Sequence, residues 1–141
     1  MRRISGTWIA GVSLLLTACS AAPASVAESE HAGGLPAQAI TAKPDSSGRD
    51  LAYPFPTAGW LDDGARFAIV LAGSSSCPAF PSSIDVADPH TIKLGLDTRG
   101  GPNCTADMAP RTYIIRTPTV IDSSGQVTLL FGETTVALPP L

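Results

Sequence analysis

Between His90 and Thr98 the chain reads HTIKLGLDT, with Ile92, Leu94 and Leu96 alternating with Lys93, Gly95 and Asp97. A period of two sends successive side chains to opposite faces, so this is an extended strand with one buried and one solvated face. Other short stretches read the same way. GWLDDGARFAIVLAG contains a short strand, a turn at Asp62-Asp63-Gly64 and a second strand from Arg66 to Ala72. Asp-Gly between apolar segments is a strong hairpin signal, because Gly tolerates a positive φ. That acidic pair is turn chemistry, since a calcium loop needs more oxygens at regular spacing. IDV, RTYIIRTP, QVTLLFG and ETTVALP supply further strands, with a turn at Asp122-Ser123-Ser124-Gly125. Thirteen glycines and thirteen prolines oppose long helices. The expectation is an all-β fold, a small antiparallel β-sandwich or barrel of six to seven short strands.

A chain of 141 residues has room for one domain. The strand pattern places it over residues 55–141, a size at which a core alone is only just sufficient. Nine Lys and Arg against twelve Asp and Glu give a net charge of −3. No basic footprint for nucleic acid is present. From Ser20 to Pro54 the sequence is rich in Ala, Ser, Pro and Gly and has no sustained period. It reads as a flexible tether with an r.m.s. reach of about 30 Å. His31 lies there with Glu28 and Glu30, and one His with two Glu on a floppy segment makes a poor metal cage.

The N-terminal stretch MRRISGTWIAGVSLLLTACSAAP has Arg2 and Arg3, then an apolar run from Ile4 to Leu16. That is the layout of a secretory signal peptide. As a helix the run would rise about 20 Å, short of the ~30 Å hydrocarbon core of a bilayer. Its end, Leu16-Thr17-Ala18-Cys19, resembles the lipobox of bacterial lipoprotein precursors. The resemblance implies that residues 1–18 are removed and that the Cys19 sulfur carries a diacylglyceryl group. Residues 19–54 would then be the lipid-anchored tether, and the domain would stand on the extracytoplasmic face of the cell membrane. The mature chain would keep seven basic and twelve acidic side chains, so the lipid rather than charge would hold it to the membrane.

If Cys19 is taken by lipid, as that resemblance implies, Cys77 and Cys104 remain as an even pair in an oxidising compartment. The expectation is one disulfide between turn-rich connections. Closing a loop of roughly 28 residues is worth about 3.6 kcal/mol in the chain-entropy model.

The segment LAGSSSCPAFPSS holds the candidates for chemistry. A hydrolase elbow reads G-x-S-x-G, and GSSSCP has Ser76-Cys77 where the motif needs x-Gly. A catalytic serine also needs a base, and His90, beside Asp85 and Asp88, is the single histidine after the tether. A phosphate loop would need G-x-x-x-x-G-K. The plain account is that the serines satisfy backbone groups in a turn. Asp107 either caps the turn after Cys104 or pairs with Arg111.

The order Trp60, apolar strand, GSSSCP and CTADMAPR over residues 60–118 also resembles small secreted or lipid-anchored actinobacterial proteins. That resemblance brings no activity with it. The function expected is a non-catalytic envelope module with Ser75, Ser76, Asp107 and Arg111 on its binding rim. Its partner would be an envelope protein, a glycan or a small ligand, with no cofactor and no nucleic acid. Two alternatives are a small serine hydrolase using Ser75 or Ser76, and a protease inhibitor presenting the Cys77–Pro81 loop.

Overall fold

A computed structural model of the chain describes residues 22–42 and 56–141. The signal-peptide and lipobox expectations, Cys19 included, lie outside the described residues. Eight strands run in chain order among those described. They are β1 (Ser29–Ala32), β2 (Thr57–Leu61), β3 (Arg66–Gly73), β4 (Ala79–Asp88), β5 (Thr91–Thr98), β6 (Ala109–Arg116), β7 (Val127–Phe131) and β8 (Thr134–Leu138). They form two four-stranded sheets, β1-β6-β3-β2 and β4-β5-β7-β8. The fold is therefore a sandwich and not a barrel. The first sheet is antiparallel throughout. The second is mixed, because β5 and β7 run parallel, which corrects the expectation of a purely antiparallel arrangement. The chain leaves the second sheet after β5, adds β6 to the first, and returns as β7, so both strands enter from the same end.

The inner faces of both sheets share one core. Trp60, Phe67, Ile69, Tyr113 and Ile115 come from the first sheet, and Phe80, Ile92, Leu94, Val127, Leu129 and Leu138 from the second. Trp60 and Phe67 meet edge to face with centroids 6.3 Å apart, a favoured aromatic geometry. Two polar atoms bridge the layers: Trp60 Nε1 donates to Pro139 O at 2.7 Å, and Tyr113 Oη donates to Ala79 O at 2.6 Å. Leu96 is 43% exposed. It keeps the period of Ile92 and Leu94 along an unbroken β5, but lies where the β4–β5 ladder is interrupted by Ser82, and it lines an open cleft with Leu71 and Phe131.

Residues 22–42 are not the free tether expected of them. Val26 N–H donates to Pro81 O at 2.9 Å, Glu28 N–H to Ile114 O at 2.8 Å, and Gly33 N–H to Pro110 O at 3.0 Å. Between these bonds β1 pairs with β6, setting Glu30 opposite Tyr113. The chain then crosses to the other edge of the sheet, where Ile40 and Trp60 exchange backbone bonds. The reason lies in β3. Phe67, Ile69 and Leu71 face the core, but Ala68 and Val70 on the outer face are also fully buried. A strand apolar on both faces needs a cover on each. The 33–41 strap is the outer one: Thr112 Oγ1 donates to Gly33 O and Gly34 O. At Gly59 a Cβ would meet Ala39 Cβ at 2.9 Å, so only glycine lets the strap lie that close.

Charge pairs hold the same segment. Glu30 accepts from Arg99 at 2.8 Å and faces Arg111 at 3.5 Å, and Glu28 accepts from Arg116 at 2.6 Å. Arg99 also lies over the Phe80 ring at 4.3 Å. Glu30 thus ties β1 in one sheet to the end of β5 in the other. At the expected hairpin turn, Asp62, Asp63 and Gly64 all have positive φ, and the Asp62 carboxylate accepts from Arg66 Nε.

Replacing Tyr113 by Phe removes one interlayer bond without removing the ring. The expected cost is about 1 kcal/mol, read as a lower urea midpoint at unchanged slope.

Candidate functional site

Cys77 and Cys104 are joined, with their Cα atoms 5.4 Å apart. The bond ties the β3–β4 connection to the long loop between β5 and β6. Gly100 makes this possible: its φ is +120°, and a Cβ there would meet Ser76 O at 2.6 Å and Cys77 Sγ at 2.7 Å. The tie brings GSSSC beside CTAD. Thr105 Oγ1 becomes the hub, 2.9 Å from Ser74 Oγ, 3.2 Å from Ser75 Oγ and 3.3 Å from Ser76 Oγ. In return Ser76 Oγ accepts the Thr105 N–H at 2.9 Å, and Ser74 Oγ accepts the Cys77 N–H at 3.1 Å.

Asp107 closes the cluster. Its Oδ1 accepts the Ser75 N–H at 3.0 Å and the Thr105 hydroxyl. The Thr105 hydroxyl first, and then the Ser75 N–H and hydroxyl, hold the Asp107 carboxyl well below the usual carboxylate range. Asp107 takes neither expected role as stated: it does not pair with Arg111, and the backbone N–H it caps is that of Ser75 in the β3–β4 connection and not one in the turn after Cys104. Arg111 is elsewhere, against Glu30 on β1. Ser75, Ser76 and Asp107 therefore come together, and Arg111 does not join them.

His90, the base candidate expected from the sequence, does not sit beside these serines. His90 sits in the β4–β5 turn, at the far end of a ten-residue strand that begins beside Cys77. Ten residues of strand span roughly 33 Å. His90 has its own neighbours: its N–H donates to Asp88 at 2.8 Å, and its Nε2 lies 4.0 Å from Asp122. The Ser75 and Ser76 N–H groups point at Asp107 and Thr105, so neither is free to form an oxyanion hole. A carboxylate held this acidic is a poor general base. The Cys77–Pro81 segment is not a presented loop either. Ala79 to Pro81 belong to β4, and Phe80 is 1% exposed.

Thr105 was not among the rim residues expected from the sequence. Its one signal was adjacency: once Cys104 is joined to Cys77, the residue after Cys104 must meet the serines before Cys77. Next to this hydroxyl cluster lies an apolar cleft of about 260 Å³, lined by Leu71, Ala72, Ala79, Leu96, Met108 and Phe131. Met108 is 72% exposed at its mouth. Among the described residues no group of three His, Cys, Asp or Glu is placed to hold a metal ion. No helix among them is long and apolar enough to cross a membrane. In comparisons with known proteins, no family model, no curated protein and no solved structure matches this chain.

Removing the disulfide by Cys77→Ser with Cys104→Ser should cost about 2–4 kcal/mol, read by denaturant melts of oxidised wild type and variant. Asp107 gives a pH test. Its folded pKa lies below the unfolded one, so its contribution is present above about pH 4 and lost as pH falls further. The stability gap between wild type and Asp107→Asn should therefore shrink on acidification below that pH. A gap that stays constant from pH 7 to pH 2 would contradict the cap.

Proposed function

We propose that this chain is a cell-envelope lipoprotein, anchored through Cys19, whose globular part is a non-catalytic binding module on the extracytoplasmic face of the membrane. The observation that carries the binding reading is the rim at the disulfide. Two connections that each cross between the sheets are fixed together, with exposed hydroxyls of Ser75, Ser76 and Thr105 beside an apolar cleft. A pre-fixed rim loses little conformational freedom when a partner arrives, which favours binding. Hydroxyls with an apolar neighbour suit an envelope protein, a glycan or a small ligand with both kinds of surface. The disulfide itself fits an oxidising compartment.

The non-catalytic reading is supported by the distance between Ser75 and His90 and by the internal use of the serine N–H groups. The lipobox resemblance supports the anchor.

Three measurements test the proposal. Cys19→Ala should move the protein from the membrane fraction to the soluble fraction or block its processing, and continued lipid labelling of that variant would overturn the anchor. Esterase and peptidase assays should give the same background for wild type and Ser75→Ala. Activity that disappears in the variant would overturn the non-catalytic reading. Amide shifts on titration with a panel of envelope glycans and small amphipathic ligands should cluster at residues 74–79 and 101–108. Shifts confined to the His90 end would place the binding surface elsewhere.

A further inference from the structure

We infer that the β1 edge of the sandwich is the face laid against the membrane, with the bilayer surface as its partner. The inference rests on the lipid-anchor reading proposed above, and two independent observations carry it beyond that reading.

The first is chain length. A tether reaching from Cys19 to Pro54 would have a contour of about 120 Å and would leave the domain free to tumble above the lipid. The structure ends that freedom early, because Val26 is already bonded to Pro81 and Glu28 to Ile114. Seven residue steps lead from Cys19 to Val26. Fully extended they reach no more than about 25 Å, close to the width of the domain itself. The chain enters between β1 and β4, each at the edge of its sheet on the same side of the sandwich. That side is the one the leader holds nearest the lipid.

The second is charge. Around β1 stand Arg99, Arg111 and Arg116 with Glu28 and Glu30, three cations against two carboxylates. Elsewhere among the described residues the balance is two cations, Arg66 and Lys93, against eight carboxylates. Arg116 keeps 74% of its side chain exposed despite its bond to Glu28. An anionic headgroup layer attracts basic groups within about a Debye length of its surface and repels acidic ones. The edge that the anchor pulls down is the edge that such a surface tolerates best, and the remaining acidic surface turns outward. The disulfide rim lies at one end of the sandwich, next to the end of this edge.

The experiment uses the full-length lipidated protein in vesicles of phosphatidylcholine with one part in five phosphatidylglycerol, carrying headgroup-linked acceptor dye. A fluorescent amino acid replaces His31 on β1 in one preparation and Glu133, in the β7–β8 turn at the opposite edge, in another. Energy transfer to the lipid should be at least twofold stronger from position 31. Equal transfer, or stronger transfer from position 133, overturns the orientation. Mass spectrometry of the same samples reads the diacylglyceryl group on Cys19. Its absence overturns the anchor reading itself and the orientation with it. A variant with twenty Gly and Ser residues inserted after Ala22 should lose the difference between the two positions. A difference that survives the insertion overturns the short leader as its cause.

Discussion

The rest of the structure depends on the double burial of β3. Arg66–Gly73 carries Phe67, Ile69 and Leu71 on one face and Ala68 and Val70 on the other, all of them excluded from water. A two-layer sandwich covers one face only. The outer face would expose an apolar strip at the centre of its sheet, and burying such a side chain is worth about 1.5–3 kcal/mol for the larger residues. The chain answers with its own N-terminal segment. This one demand accounts for the position of β1, for the glycine at residue 59 and for the Glu28 and Glu30 ion pairs that hold the segment in place. These pairs are partly exposed, so their main effect is to fix register and their energies are small.

In the connections tied by the disulfide the same economy applies to polar groups. The β3–β4 connection packs the Ser75 and Ser76 N–H groups and three serine hydroxyls into a few residues, and loops cannot leave such donors without partners. Thr105 and Asp107 take them up across the disulfide. Hydroxyls and N–H groups that cap one another hold the two connections in one arrangement. What stays free is their outward side and the apolar cleft next to them.

Much of the fold was legible in the chain. β2, β3 and β5 to β8 announce themselves by alternation or by turn chemistry at Asp62-Asp63-Gly64 and Asp122-Ser123-Ser124-Gly125. The first half of β4 did not, because Pro78, Pro81, Ser82 and Ser83 read as loop. Pro81 is tolerated because β4 is an edge strand, where a missing N–H breaks little. β1 was invisible for a different reason. Ser29-Glu30-His31-Ala32 exposes all four side chains, so no apolar period exists to be read. Its partners lie on β6, far along the chain. The parallel β5–β7 pair also has no local signature. At the site, proximity of Ser75, Ser76 and Asp107 followed from the two cysteines, whereas Arg111 was drawn away by Glu30, a residue assigned to a tether.

The long-range closures have a kinetic consequence. Thr112 reaches Gly33 across 79 residues, and Trp60 reaches Pro139 across another 79. Neither contact can be rewarded until almost the whole chain has been gathered, and folds dominated by such closures reach the native state in milliseconds to seconds. The β4–β5 and β7–β8 hairpins are local and can form early. The strap has to wait for β6, which makes it the last piece to dock and, in the native state, the first to lift. While it is lifted, β6 presents an unpaired edge and β3 a bare apolar strip, the combination that recruits a strand from a neighbouring chain. The segment that reads as a tether is in this sense the domain's protection against its own copies.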